Sequence, residues 1–303
     1  MTREVQAPLV TVEVDGQRVE VPEPSTVLQA IRAAGKDVPT LCYHPVLEPI
    51  GVCRVCVVEV EGSRTLVPAC IRRVEPGMRV RTETPRVELS RRMVVELLQS
   101  SVDTSLAPDV QRYAAEYGAR PERWQPFAQE GSRARRAPKV DNDLYVRDLD
   151  RCILCYRCVR ACGEEVQNSF AIAVAGRGLG ARIDPGFDLP LPDSACVFCG
   201  NCVAVCPTEA LVPKTQFEMR RAGTWEEGRQ QVVTTTCPYC GVGCKLNLHV
   251  QDNRIVKVTA PLDDPVTRGF LCVKGRFGWT YVHAGTASGP GSEAEPSTPP
   301  GNL

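Results

Sequence analysis

The chain has 303 residues with 36 basic and 36 acidic side chains, so it lacks the basic excess that nucleic-acid binding uses to neutralise phosphates. No apolar run approaches the roughly 18–20 residues of a membrane helix, and the N-terminal MTREVQAPLV has neither an apolar signal core nor a twin-Arg pair, which predicts a cytoplasmic protein. Its 16 cysteines against three histidines exceed ordinary usage, and in a reducing compartment they point to metal coordination in place of disulfides.

In chain order, Leu9, Val10, Val12 and Val14, then Val19 and Val21, alternate about Asp15-Gly16. That is a β-hairpin pattern with a type I′ turn. Ser25 or Thr26 caps a short helix through Val27, Leu28, Ala30, Ile31 and Ala34, closed by Gly35. The first cysteine set follows as Cys42-x10-Cys53-x2-Cys56-x13-Cys70, with strands expected around Val55–Val60 and Leu66–Ala69. The spacing is looser than the plant-type ferredoxin run but follows the same logic: a long loop supplies the first ligands and a later strand edge the last. It reads as [2Fe–2S], with zinc the alternative on spacing alone. Gly51 lets backbone amides approach the cluster sulfurs. Hairpin, helix, cluster loop and returning strands are what a β-grasp [2Fe–2S] ferredoxin domain requires, here over residues 1–82.

Residues 86–99 space Val87, Met93, Val94, Leu97 and Leu98 as an amphipathic helix. The polar stretch that continues to about 140 makes 83–140 a helical linker, in which Tyr113, Tyr117, Trp124 and Phe127 read as packing anchors.

Cys152, Cys155, Cys158 and Cys162, then Cys196, Cys199, Cys202 and Cys206, share the spacing C-x2-C-x2-C-x3-C, the second followed by Pro207. This is the two-cluster run of bacterial ferredoxins. The short gaps bring three thiolates to one cubane from a single loop, and the fourth cysteine opens a helix and points to the other cluster. Cys152, Cys155, Cys158 and Cys206 are therefore expected on one [4Fe–4S] cluster, and Cys162, Cys196, Cys199 and Cys202 on a second, in a domain over 141–219. Zinc sites rarely repeat this spacing with a trailing Cys-Pro. The insert 163–195 contains AVAGRGLGARIDPG, but its Gly-x-Gly lacks the βαβ context of a nucleotide site, so hairpin loops are expected.

The last set, Cys237-x2-Cys240-x3-Cys244-x27-Cys272, leaves [4Fe–4S] and zinc both open on spacing. Pro238, Gly241 and Gly243 tighten its loop. Leu246, Leu248 and Val250, then Ile255, Val256 and Val258, flank Gln251-Asp252-Asn253 as a hairpin in a small unit over 220–282. The Gly/Ser/Pro/Ala-rich run 283–303 predicts disorder. The fold class expected for the whole is α+β.

VPTLCYHPVLEPIGVCRVCVVEV and VPACIRRVEPGM resemble the [2Fe–2S] domain of the large iron–sulfur subunit of respiratory complex I. Its relatives include NAD-linked hydrogenase diaphorase subunits, iron-only hydrogenases and cytoplasmic formate dehydrogenases. His44 lies in that motif, and the resemblance makes it a hydrogen-bonding neighbour of the cluster in preference to a ligand. DRCILCYRCVRACGEEVQNSFAIAVAGRG and DSACVFCGNCVAVCPTEAL resemble the two-cluster segment of the same families. VVTTTCPYCGVGCKLNL and GFLCVKGRFGW resemble the opening Fe4S4 domain of the molybdopterin oxidoreductases, which implies [4Fe–4S] for the last set. This order, ending on CPYCGVGC, is the layout of cytoplasmic molybdenum- or tungsten-dependent formate dehydrogenases. The resemblance implies for Lys274 a place on the electron path towards a partner's pterin; a surface lysine is the alternative.

Two departures bear on this. The His-x3-Cys-x2-Cys-x5-Cys motif common after the first domain has no counterpart in LLQSSVDTSLAPDVQRYAAEYG. The expected route from the [2Fe–2S] cluster therefore runs directly to another cluster, and the complex I and NAD-hydrogenase readings lose support. The chain also stops where formate dehydrogenase catalytic domains would begin, with every cysteine assigned, so it is expected to carry no catalytic residue. The molybdenum or tungsten bis-pterin is expected on a partner chain, and the chain itself is either a split subunit or the product of an interrupted reading frame. The resulting expectation is an iron–sulfur electron-transfer subunit of a formate dehydrogenase with one [2Fe–2S] and three [4Fe–4S] clusters. Its partners would be a molybdopterin catalytic subunit and a flavin/NAD(P) diaphorase subunit or a quinone-linked or ferredoxin acceptor. The alternatives are a diaphorase-type subunit of an NAD-linked hydrogenase or complex I-like assembly, and a free-standing multi-cluster carrier.

Overall fold

The computed structural model describes residues 7–124 and 137–283. Strands β1 (Leu9–Val14) and β2 (Gln17–Pro22) pair antiparallel with Val12 opposite Val19 and Val10 opposite Val21. This register puts the hairpin's valines on one buried face. Asp15 and Gly16 have φ of 48° and 85°, the left-handed pair that a type I′ turn requires. Thr26 caps helix α1 (Val27–Ala33) in a complete capping box with Gln29, and the helix buries Val27, Leu28, Ala30 and Ile31. Strands β3 (Val57–Val60), β4 (Val67–Pro68) and β5 (Arg79–Arg81) complete a five-stranded sheet in the order β2-β1-β5-β3-β4. Within it β1 and β5 are parallel and the other neighbours antiparallel. The turn residue Asp15 also accepts from the backbone N–H and the hydroxyl of Thr82, both at 2.7 Å, and so pins the hairpin to the end of β5.

Two helices follow, α2 (Pro85–Ser101) and α3 (Pro108–Glu116). Thr84 caps α2, and Pro85 sits in its first turn, where no N–H is needed. The buried face of α2 departs from the expected apolar stripe. Val87 and Val95 are buried, but so are Arg91 and Glu96, while Leu97 is exposed. The cause is what α2 packs against. Arg91 reaches the Val57 carbonyl of β3 at 2.9 Å and the Tyr117 hydroxyl at 3.1 Å. Glu96 accepts from Arg120 N–H and Trp124 Nε1, both at 3.0 Å, and pairs with Arg123. Charged side chains therefore close a backbone carbonyl, a backbone N–H and an indole N–H that an apolar face would leave unpaired. Tyr113, Tyr117 and Trp124 act as anchors; Phe127 lies outside the described residues, as does the 284–303 stretch expected to be disordered.

The next unit is framed by β6 (Tyr145–Arg147) paired antiparallel with β9 (Leu211–Pro213). Between them, helices α4 (Arg157–Cys162) and α5 (Asn201–Ala204) each follow a cysteine loop. The insert forms a hairpin of β7 (Ala173–Ala175) and β8 (Arg182–Asp184), as its glycines suggest. Helix α6 (Lys214–Arg221) leads to a three-stranded antiparallel sheet of β10 (Gln231–Thr236), β11 (Lys245–Gln251) and β12 (Arg254–Thr259). Asp252 and Asn253 turn β11 into β12 with φ of 51° and 58°. A short helix, α7 (Val273–Phe277), closes the described chain. Among the described residues no helix is long and apolar enough to cross a membrane.

Replacing Arg91 by Met keeps the volume but strands the buried Val57 carbonyl. Chemical denaturation of Arg91→Met is expected to show a loss of about 1–3 kcal/mol, whereas Leu97→Met, on the exposed side of the same helix, should be neutral.

Candidate metal centres

The first four cysteines lie within one buried corner of the N-terminal sheet. Cys42, Cys56 and Cys70 are buried and Cys53 is half-buried. The thiol of Cys42 is in hydrogen-bonding reach of Cys53 and Cys70, and that of Cys56 is in reach of Cys70. These contacts push Cys42 and Cys56 down and Cys53 and Cys70 up. The loop that carries Cys53 starts from Gly51 at φ 64° and passes through Arg54 at φ 59°. Two left-handed residues within four positions fold the backbone back so that successive N–H groups face inward, the nest geometry that receives anionic sulfur. The requirement at Gly51 is this backbone conformation, together with the close approach of the Ile71 side chain.

The next eight cysteines line a single cavity with about 820 Å3 of atom-free space, whose walls are otherwise largely apolar. Cys155 and Cys158 feel the charges of Cys152 and Cys206, and Cys158 also that of Cys202; Cys199 and Cys202 feel those of Cys162 and Cys196. Cys206 thus stands among the influences on the first loop's thiols and Cys162 among those on the second's. The two loops share one backbone solution. Leu154 and Tyr156 in the first, and Phe198 and Gly200 in the second, all have φ between 53° and 71°. Each pair flanks the middle cysteine of its loop and turns the chain so that thiols three residues apart face the same point. The N–H of Phe198 donates to Cys196 Sγ at 3.4 Å, and the Tyr145 hydroxyl lies 3.2 Å from the same sulfur.

Cys237, Cys240, Cys244 and Cys272 gather at one end of the β10–β12 sheet. Cys237 donates its N–H to the Cys244 carbonyl at 2.8 Å, and Cys244 feels the charges of Cys237, Cys240 and Cys272. Cys240 and Cys272 are exposed, so this group opens to the surface. The chemistry of the donor sets suits iron–sulfur clusters: four thiols each, set in cavities or nests, with backbone and hydroxyl donors on sulfur. Among the described residues no three or more His, Cys, Asp or Glu side chains converge on a single-ion position. In a cluster each thiolate has its own iron, so the fit is judged on the loops and the cavity.

Several residues that spacing did not single out join the centres. Arg276 in α7 is 3% exposed. Its Nε donates to the Cys199 carbonyl at 3.1 Å and its guanidinium to Asn201 Oδ1 at 3.0 Å, the oxygen that also accepts from Leu271 N–H at 3.1 Å. Burial lowers its pKa to about 10 against the pull of Cys199, Cys202 and Cys272. The next residue, Phe277, stacks on Tyr145 with centroids 6.0 Å apart. A Cβ at Gly200 would lie 2.5 Å from Arg276 Cδ and 2.7 Å from the Phe277 ring, and its φ is 71°, so glycine is required there. The sequence signal for Arg276 was its place four residues after Cys272, but exposure separates it from Lys274. Lys274 is on the surface of the same short helix. Among the described residues the buried Nδ1 of His44 has no partner, and the ring packs 6.3 Å from Phe270. Burial and the nearby Arg157 charge push its pKa down to about 4.

The loops also meet one another. Cys53 and Ile153, from the first and second cysteine loops, pack in one apolar core with Leu41, Val55 and Val95. Leu47, from the first loop, enters the core that holds the eight-cysteine unit, as do Phe270 and Phe277 from the C-terminal unit.

Three family models match in the same order. Residues 7–85 match the 2Fe-2S iron-sulfur cluster binding domain, 143–212 the ferredoxin-like domain of NADH-quinone oxidoreductase subunit 3, and 230–284 the molybdopterin oxidoreductase Fe4S4 domain. The chain is 34% identical over 286 residues to the NADPH-Fe(3+) oxidoreductase subunit alpha of Geobacter sulfurreducens, covering 91% of this chain and 32% of that protein. It is 34% identical over 285 residues to an NADH-quinone oxidoreductase subunit of Rhizobium meliloti, again covering 91% and 32%. The chain thus spans about a third of the length of the curated relatives it matches. A solved structure of an NAD+-reducing [NiFe]-hydrogenase in the H2-reduced state is similar with a TM-score of 0.59 and 28% identity, over 68% of this chain and 87% of that one. A Staphylococcus haemolyticus protein named as a formate dehydrogenase is 26% identical over 90% of this chain and 31% of its own length. The relatives therefore favour the complex I-like alternative over the formate dehydrogenase expectation. In domain content and order the chain is an iron–sulfur module similar to that of the NADH-quinone oxidoreductases, with formate dehydrogenase one relative among several.

Proposed function

We propose that this chain is the iron–sulfur electron-transfer part of a complex I-like oxidoreductase, working with partner chains that carry the substrate chemistry. The N-terminal sheet, with its parallel β1–β5 pair and the helix α1, is read as a β-grasp domain holding one [2Fe–2S] cluster on Cys42, Cys53, Cys56 and Cys70. Three [4Fe–4S] clusters are assigned to Cys152/Cys155/Cys158/Cys206, to Cys162/Cys196/Cys199/Cys202 and to Cys237/Cys240/Cys244/Cys272. Such clusters supply one-electron storage and transfer. The chain supplies thiolates, inward amides and dry walls, and no group in it is assigned acid–base work.

One observation carries the reading: the cysteine loops share cores. Cys53 and Ile153 touch one apolar cluster, which supports a direct path from the first centre to the Cys152 group. Phe277 and Phe270 place the Cys272 loop against the eight-cysteine unit. A scaffold of separate zinc knuckles has no use for this continuity. The match of 230–284 to the molybdopterin oxidoreductase Fe4S4 domain, and the exposure of Cys240 and Cys272, favour a second reading, in which the partner at that end is a molybdopterin chain such as a formate dehydrogenase catalytic subunit.

Anaerobic purification on a tag should give a brown protein with roughly 14 irons per chain. Reduction by NADH or NADPH through a co-purifying flavin chain is expected on the first reading; molybdenum or tungsten with formate-dependent reduction establishes the second. Full iron with no partner leaves a free-standing carrier, and colourless protein with zinc removes the cluster reading. The crossed ligand sets are checked by paramagnetic resonance. Cys206→Ser should disturb the same [4Fe–4S] signal as Cys152→Ser, and Cys162→Ser the same as Cys196→Ser. Cys206→Ser and Cys202→Ser striking one signal would refute the exchange.

A further inference from the structure

Resting on the cluster reading above, we propose that Arg276 is a positioning residue that couples two of the clusters. It is a buried cation, carried by the C-terminal unit, that raises the reduction potential of the Cys162/Cys196/Cys199/Cys202 cluster and locks that cluster's loop to the Cys272 loop.

The argument starts from cost. A buried guanidinium needs anionic charge and hydrogen-bond acceptors nearby, or its desolvation is uncompensated. Arg276 is 3% exposed, and among the described residues no carboxylate forms an ion pair with it. Its hydrogen bonds go to two neutral oxygens, the Cys199 carbonyl and Asn201 Oδ1. The charges that favour it are those of Cys199 and Cys202 on one side and Cys272 on the other, while the Lys257 ammonium acts against it. Thiols are neutral; thiolates on an iron–sulfur core carry net negative charge. The protein thus places a fixed cation whose counter-charge, among the described residues, comes from cysteine sulfurs on a loaded cluster.

Two further features show that the position is built. Gly200 lacks a side chain where a Cβ would meet Arg276 Cδ at 2.5 Å. The equivalent position in the first loop is Tyr156, which shares its left-handed backbone, so the backbone alone does not demand glycine. Asn201 Oδ1 receives both Arg276 and Leu271 N–H, so one amide ties the second loop to both ends of the segment that carries Cys272. The guanidinium fork is what allows this. One nitrogen holds a backbone carbonyl and another a side-chain amide, in a plane that a lysine ammonium cannot reproduce.

The electrostatic consequence has a definite sign. A cluster gains one negative charge when it takes up an electron. A fixed cation beside it, in a site of low dielectric, therefore favours the reduced form and raises the potential. The orientation of the hydrogen bonds towards Cys199 assigns the larger effect to the cluster on that loop. Lys274, two residues earlier and exposed, has no such leverage on it.

The test uses the full chain, loaded anaerobically, with potentiometric titration followed by paramagnetic resonance and with iron and sulfide measured on the same samples. In Arg276→Gln, one [4Fe–4S] midpoint is expected to move to lower potential while the [2Fe–2S] midpoint stays in place. In Arg276→Lys, which keeps the charge, that midpoint should return most of the way, but the magnetic interaction between the two neighbouring clusters should be altered because the fork is lost. Unchanged midpoints in a fully loaded Arg276→Gln overturn the proposal. So does an Arg276→Lys protein whose midpoint falls as far as that of Arg276→Gln. Should Arg276→Gln lose iron, the Arg276→Lys comparison with the wild-type chain decides alone. A wild-type chain without any [4Fe–4S] signal removes the cluster reading itself, an outcome visible before any variant is made.

Discussion

Everything in this protein follows from the need to turn a chain so tightly that thiols three residues apart face one point. A helix sets i and i+3 on one face but swings i+6 about 120° away, and a strand sends i and i+3 to opposite faces, so neither brings three thiols of this spacing together. The solution is a pair of left-handed residues flanking the middle cysteine, used at Leu154 and Tyr156 and again at Phe198 and Gly200. The left-handed region is costly for residues with a Cβ. Three of these four positions carry a bulky side chain, so the cost must be offset by what the loop holds and by the cores into which Leu154, Tyr156 and Phe198 pack. Short helices then start directly from the loops at Arg157 and Asn201; Cys162 ends the first, and Cys206 lies two residues past the second.

The same constraint explains where polar groups are buried. Turn-rich loops, and a strand position opposite a proline such as Val57 opposite Pro68, leave backbone carbonyls without ladder partners, and the protein answers with cationic side chains. Arg91 caps the Val57 carbonyl beside the first centre; Arg276 caps the Cys199 carbonyl beside the second unit. Glu96 does the converse, gathering the N–H of Arg120 and the indole of Trp124. The helical stretch 85–124 is therefore more than a spacer. It closes the back of the first cysteine corner and contributes Val95, Val110 and Tyr113 to the core that also receives Ile153.

Much of this was legible in the residues, and the divisions are physical. The hairpin at Asp15-Gly16, the capped helix after Thr26 and the turn at Asp252-Asn253 all rest on local spacing or on turn chemistry, which sequence carries directly. The buried face of α2 was misjudged because its partners, Val57, Tyr117 and Trp124, lie 24 or more residues away or across a turn. No periodicity within the helix reports them. Arg276 escaped for the same reason: its acceptors lie 75 and 77 residues earlier in the chain. His44 has neighbours in Phe270 and Arg157, from two other segments, that its own motif does not report.

Duplicated cysteine runs need not make equivalent centres. The two loops of the eight-cysteine unit match in spacing and backbone, yet they differ at each residue between their first three cysteines. Tyr156 stands opposite Gly200, and Arg157 opposite Asn201. In the first loop the cation is internal, and Arg157 acts on both Cys155 and His44. In the second, the loop carries an amide and an open glycine, and the cation arrives from the C-terminal unit as Arg276. The second loop also has the Tyr145 hydroxyl on Cys196, with Phe277 stacked on that ring. Its electrostatic environment is thus completed by a different part of the chain, so any displacement of the C-terminal unit is felt at those sulfurs. The repeated motif fixes where the thiols stand; the residues between them decide which neighbour each centre answers to.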